Sequence, residues 1–209
     1  MITIEEARGY YGTADSVHDF DHVLRVHALA EHIAETEGAD PDIVSAAALL
    51  HDVGRNQAED IGRDHAIFAA ERAREILSGA PAQRREAVIH AIATHRFRSG
   101  PEPDTLEAKV VFDADKLDAI GAIGIARAFA YGGAHGQRLW APLDEIDLER
   151  HLEVGDTAGD HTPVHEFVVK LARVKDRLFT ATGRSIAEGR HAYMVAFFER
   201  LESEVRGKR

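Results

Sequence analysis

Helical periodicity runs through almost the whole chain and constrains its fold more than any other feature. Val23, Val26, Leu29, Ala30 and Ile33 recur at three- and four-residue steps, the spacing of one helix face, and predict an amphipathic helix over 20–37 that Gly38 closes. Asp40-Pro41 is a favourable helix start, with proline in the first turn. It launches a helix from Ile43 through Val53 whose alanine- and leucine-rich middle reads as buried on most sides, and Gly54 ends it. The same reasoning places helices near 64–78, 82–95, 104–117, 118–131, 164–180 and 184–206, with Gly79, Gly100-Pro101 and Gly183 as breaks. No segment alternates with period two for long enough to demand a strand, so the expected fold class is all-α.

At 209 residues the chain is expected to form one domain, 1–209. Within it, residues 131–163 carry glycine and aspartate but little periodicity apart from a short helix around 144–152. They read as an irregular excursion, either a lid or an insertion with no role.

Composition narrows the chemistry. Cysteine is absent, which excludes disulfides, thiolate metal sites and cysteine nucleophiles, so any metal must be held by nitrogen and oxygen. Histidine is abundant, at 13 residues, and is both the commonest metal ligand and the side chain that titrates near neutral pH. A net charge of −11 argues against constitutive binding to nucleic acid or to an anionic membrane, while leaving room for a local basic pocket. The N-terminus lacks a basic region followed by an apolar stretch. The longest apolar run, residues 46–50, is far short of the roughly 20 residues that span a bilayer. A cytoplasmic location is therefore expected.

The strongest local feature is His51-Asp52, immediately after that apolar run and before Val53-Gly54-Arg55. Two polar ligands at the end of a buried helix are costly unless something pairs with them, and a divalent cation would do so. Upstream, His18 and His22 stand one helical turn apart, and His22 shares the face of Val26 and Ala30, which makes it an inward-facing candidate ligand. Downstream, a helical reading of residues 112–118 turns Asp113 and Asp115 roughly 160° apart, so both cannot line one site. Asp115 falls close to the apolar phase of Phe112 and Ile120 and is the fourth candidate; Asp118, three residues on, can share its face.

The order His22, His51-Asp52, Asp115 resembles the H…HD…D signature of the HD-domain superfamily of metal-dependent phosphohydrolases. The resemblance extends through residues 18–26, 46–55, 94–98, 107–127 and 170–190, which look like the small stand-alone bacterial HD hydrolases. Some of these are similar to nucleoside triphosphate pyrophosphohydrolases. The resemblance implies an HD-domain helical bundle with His22, His51, Asp52 and Asp115 as metal ligands. Two imidazoles and two carboxylates suit one divalent ion, Mn2+, Mg2+, Fe2+, Ni2+ or Zn2+, with positions left for water and substrate. Such an ion lowers the pKa of bound water and neutralises a phosphoryl oxygen, as attack on phosphorus requires.

His65 and His95 resemble the additional histidines that binuclear HD proteins use for a second metal; in single-metal relatives such histidines face the substrate or orient the ligands. Arg96, Arg98, Lys116 and Arg55 are candidate phosphate binders, although adjacency on a helix turns Lys116 about 100° from Asp115. Asp52, Asp118 and Arg55 are the candidate catalytic groups, Asp118 and Arg55 for proton transfer or water orientation. Some nucleotidase relatives carry a glutamate three residues after the HD aspartate; here that position is Arg55. Lys170, Thr182 and Arg190 are expected to tie the last helices to the bundle. The expected substrate is a nucleotide or other small phosphorylated metabolite. Alternatives are a binuclear HD oxygenase, a cyclic-nucleotide phosphodiesterase, or a non-catalytic metal-containing binding module, and oligomeric state is left open.

Overall fold

A computed structural model of the chain describes residues 1–12, 20–96, 101–142 and 161–208. His18, Arg98 and residues 143–160, which include most of the expected excursion and the short helix around 144–152, lie outside the described residues. Among the described residues the structure is helical with no strand: α1 Ile4–Arg8, α2 Phe20–Glu37, α3 Pro41–Leu50, α4 Arg55–Asp60, α5 His65–Ile76, α6 Ala82–Ala93, α7 Leu106–Asp118, α8 Gly121–Ala134, α9 Pro163–Val169, a 3-10 helix Leu171–Arg177, and α10 Ala181–Val205. No described helix is long and apolar enough to cross a membrane.

Packing divides the chain into two units, one of residues 1–117 with 178–183 and one of 118–177 with 184–209. In the first, α3 packs against α2, α6 and α1, α6 packs against α5, and α5 against α4. The reason lies in α3, where Ala46, Ala47, Ala48, Leu49 and Leu50 are all buried; small side chains let neighbouring helices close in on several sides, and burying them supplies the apolar driving force. Asp40 sets the start of this helix by accepting from the backbone N–H groups of Asp42 and Ile43, and Asp64 caps α5 in the same way through Ala66 and Ile67. Gly54 follows the His51-Asp52 turn with φ +74, and a Cβ there would meet the Phe68 ring at 2.6 Å. Both the left-handed backbone and the close ring require glycine.

The second unit contains α8, α9, the 3-10 helix and most of α10. Phe167 stacks on Phe198 at 4.4 Å, and Phe129 meets Phe197 edge-on at 5.9 Å. α9 packs against α8 and the 3-10 helix.

Several boundaries differ from the sequence expectation: the helix expected through Val53 ends at Leu50, and the one expected from 118 begins at Gly121. The helix expected over 164–180 stops at Val169, because Lys170 takes φ −132 and ψ −60 and the chain resumes as a 3-10 helix. Gly183, read as a break, lies inside the first turn of α10, where the carboxylate of Asp113 fills the space that a side chain would need: a Cβ would stand 2.4 Å from its Oδ2. Tyr131 to Ala134, at the head of the expected excursion, continue α8, and Gly136 follows with φ +65.

Candidate metal centre

The first turn of α2 carries His22, and the end of α3 carries His51 and Asp52, all three buried. His51 sits at the C-cap of α3 with helical backbone angles, and its ring Nδ1 donates to the Ala48 carbonyl at 2.8 Å. That bond fixes the tautomer, so Nε2 carries the lone pair and faces inward. Nε2 of His51 stands 3.3 Å from Nε2 of His22 and 3.7 Å from Asp52 Oδ2, while His22 Nε2 is 3.8 Å from the same oxygen. From α7, Asp115 Oδ1 reaches within 3.6 Å of His22 Nε2. Ions that bind nitrogen and oxygen at about 2.0–2.2 Å hold neighbouring donors roughly 3–3.6 Å apart. The donors of His22, His51 and Asp52 thus form a group that a single ion fits with small adjustment, and Asp115 adjoins it through His22.

Asp52 has a second face. Its Oδ1 is buried and has no hydrogen-bond partner among the described residues. It faces Nε2 of His65 at 3.9 Å and of His95 at 3.8 Å. His95 is oriented like His51, its Nδ1 donating to the Ile92 carbonyl at 2.6 Å. Leaving a buried carboxylate oxygen without a partner is costly, and the chemistry of this donor set fits a cation there.

Burial pushes the Asp52 carboxyl up, but His51, Arg55, His95 and His22 together outweigh it and hold the group well below the usual carboxylate range. Asp115 is likewise depressed, burial being opposed by Lys116 and the three histidines His51, His95 and His22. Burial drives His95 down to about 3, so it is neutral at physiological pH and able to ligate; burial also lowers His65.

The remaining candidates take definite places. Arg55 Nη1 donates to Asp52 Oδ2 at 2.9 Å and its Nε to Glu59 at 3.0 Å. Lys116 Nζ stands 2.5 Å from Asp115 Oδ2 and 5.4 Å from the Phe112 ring centroid. The helical turn does separate the two backbones, but the four-carbon stem of lysine folds back across it. Arg96 donates to the carboxylate of Asp64, the N-cap of the helix that presents His65. Asp118 is buried in the second unit and accepts from Arg127 at 3.0 Å. Asp113 accepts from the backbone of Phe179 and Thr180 and from the Thr180 hydroxyl, so it and Asp115 serve different surroundings. One contributor carries no motif: the Tyr11 hydroxyl donates to the Leu49 carbonyl at 3.0 Å, and burial, then the charge of Asp52, pushes its pKa well above 10.

Comparison with known proteins decides what this arrangement belongs to. Residues 19–120 match the HD domain family. The chain is also 38% identical to the YpgQ protein of Bacillus subtilis over 196 residues, which cover 92% of this chain and 86% of that one. The chain belongs to the HD-domain family. As an HD-domain protein it has the all-α fold of that family and is a metal-dependent phosphohydrolase. The crystal structure of Bacillus subtilis YpgQ in complex with ADP superimposes on this HD protein with a TM-score of 0.75 at 34% identity, over 99% of this chain and 100% of that one. An HD-superfamily hydrolase from Bacillus thuringiensis gives 0.71 at 32% identity, over 97% and 96%. Ribonuclease Y of Chloroflexus aurantiacus is 31% identical over 161 residues, which make up only 30% of that longer protein.

Proposed function

We propose that this HD phosphohydrolase cleaves a nucleotide or a similar small phosphorylated metabolite, and that its reaction is the hydrolysis of nucleoside triphosphates to monophosphate and pyrophosphate. The observation that carries a phosphate-directed metal site is the convergence of His22, His51 and Asp52, adjoined by Asp115, with Arg55 and Lys116 seated on the two carboxylates. The nucleotide part is supported by the ADP bound to Bacillus subtilis YpgQ, a relative similar over nearly the whole chain.

In this reading His22, His51, Asp52 and Asp115 hold a divalent ion. When bound, the ion acidifies water and neutralises charge on a phosphoryl oxygen. Arg55 and Lys116 keep Asp52 and Asp115 ionised and bring positive charge to where phosphate oxygens would lie, the guanidinium as a fork and the ammonium as a point charge. His95 stays neutral near pH 7 and therefore supplies a lone pair rather than a proton. Arg96 steadies the start of α5, and with it His65, through Asp64. Asp118, engaged by Arg127, is given no step. The net charge of −11 disfavours a polynucleotide substrate relative to a small one.

A second reading, two ions with Asp52 between them, is favoured by the unpartnered Asp52 Oδ1 facing His65 and His95. It brings in the phosphodiesterase and oxygenase chemistries of binuclear HD proteins.

The test is a hydrolysis screen of nucleoside tri-, di-, mono- and cyclic phosphates, run aerobically and anaerobically with Mn2+, Mg2+, Fe2+, Ni2+ and Zn2+, with products identified. Pyrophosphate with monophosphate is the expected result. Orthophosphate release from triphosphates, or turnover of cyclic nucleotides alone, overturns the pyrophosphohydrolase reading.

A further inference from the structure

The last turn of a helix leaves carbonyl groups without partners inside the helix, and their disposition shapes the chain that follows. At the end of α3 those partners can be accounted for in order. The Ala48 carbonyl accepts from the His51 ring at 2.8 Å, the Leu49 carbonyl from the Tyr11 hydroxyl at 3.0 Å, and the Leu50 carbonyl from the Val53 backbone N–H at 3.1 Å. One phenol hydroxyl therefore ties down the last turn of α3 at Leu49, two positions before His51 and three before Asp52.

The ring of the same residue reaches the other ligand-bearing helix. It lies edge-on to Phe20, with centroids 5.2 Å apart, and Phe20 opens α2 two positions before His22. It packs against a buried cluster of Ala7, Phe20, Val23 and Leu49, which joins α1, α2 and α3. Its own place is set by α1, where Thr3 and Glu6 form reciprocal caps at 3.2 and 2.8 Å and the Tyr11 N–H bonds to the Arg8 carbonyl at 3.2 Å.

We infer that Tyr11 is a positioning residue for the metal centre, holding the His51-Asp52 turn in register with the helix that carries His22. Tyr11 lies ahead of the residues that match the HD domain family, so the N-terminal segment contributes to the centre from outside the family's matched region. The inference rests on the metal-centre reading above. A hydrogen-bonding group one step removed from a ligand is worth about 10–100-fold in metal affinity, whereas a packing residue alone changes stability and leaves affinity untouched.

The experiment uses the full chain, Tyr11→Phe, which keeps the ring and removes the hydroxyl, with Asp52→Ala as control. Mn2+ and Co2+ are titrated separately, by calorimetry and by Co2+ visible absorption, and thermal unfolding is followed with EDTA and with saturating Mn2+. The expected result is metal binding by the wild type, none by Asp52→Ala, and binding at least about 10-fold weaker by Tyr11→Phe with an altered Co2+ spectrum. The Mn2+-induced rise in Tm should also shrink in Tyr11→Phe. An affinity and spectrum equal to wild type, or equal falls of Tm with and without metal at unchanged affinity, would overturn the role of Tyr11 while leaving the centre intact. Failure of the wild type to bind either ion would remove the centre, and the role of Tyr11 with it.

Discussion

The Oδ1 atom of Asp52 lies 3.8 Å from Nε2 of His95, on the opposite side of the carboxylate from the oxygen that faces His22 and His51. One buried carboxylate thereby joins two groups of nitrogen donors, and its unpaired oxygen is the feature that separates one-ion from two-ion chemistry. If both groups are loaded, elemental analysis of protein equilibrated with Mn2+ gives two ions per chain and His95→Ala gives one. A value of one ion in the wild type, unchanged in the variant, rejects the second position.

Asp52 itself is the more severe deletion. Asp52→Ala removes both oxygens and strips Arg55 of its partner at 2.9 Å, so metal retention and hydrolysis should fall by more than about 100-fold, beyond the range of an orienting residue. Far-ultraviolet circular dichroism should stay near wild type, since the helices around the site rest on the alanine and leucine packing of α3. Activity at the wild-type rate would remove Asp52 from the chemistry.

The parts of the molecule legible in the sequence are those where periodicity is long. α2 spans Phe20–Glu37, the range that its apolar spacing predicts, because an 18-residue stripe outweighs local noise. The six residues of α4 carry no apolar stripe, so periodicity does not predict them. Gly183 reads as a break in the sequence, because its helical place depends on Asp113, 70 positions earlier, filling the space beside it. At the site, His22, His51, Asp52 and Asp115 stand out through chemistry and helix phase. The reach of Lys116 back to Asp115 does not, since a helical wheel fixes the direction of Cβ but not the path of a flexible stem. Tyr11 is harder still: its hydroxyl's partner is a backbone carbonyl, which leaves no mark on residue identity.

Asp113 is expected to matter for stability rather than for chemistry. Its carboxylate accepts from the N–H groups of Phe179 and Thr180 at 2.9 and 2.8 Å and from the Thr180 hydroxyl at 2.6 Å. Removing it leaves buried donors unsatisfied at roughly 1–3 kcal/mol each. Asp113→Ala should therefore lose about 3 kcal/mol in urea unfolding while metal stoichiometry in the folded fraction is unchanged. Gly183→Ala should lower the same midpoint by crowding the carboxylate. A midpoint within error of wild type for both variants would refute this role.

In the second unit Glu166 provides a pH-dependent contribution that can be isolated from the metal centre. Burial raises its pKa, but the hydrogen bond with His161 at 3.3 Å and the ammonium of Lys170 outweigh burial and bring it down to about 2, from an ordinary value of 4.5. A carboxyl group that is more acidic in the folded than in the unfolded chain stabilises the fold fully above the unfolded value and loses that contribution as the pH falls through the folded one. The wild type should thus exceed Glu166→Gln in stability by about 2 kcal/mol at pH 7, the scale of a charge-assisted hydrogen bond, and the gap should close between pH 4.5 and about 2. Denaturant unfolding of both proteins at pH 7, 4 and 3 measures it directly. The general acid sensitivity of other carboxylates affects both chains alike and cancels in the difference, so a gap that stays constant across this range would show that the Glu166 carboxylate is not held by His161 and Lys170.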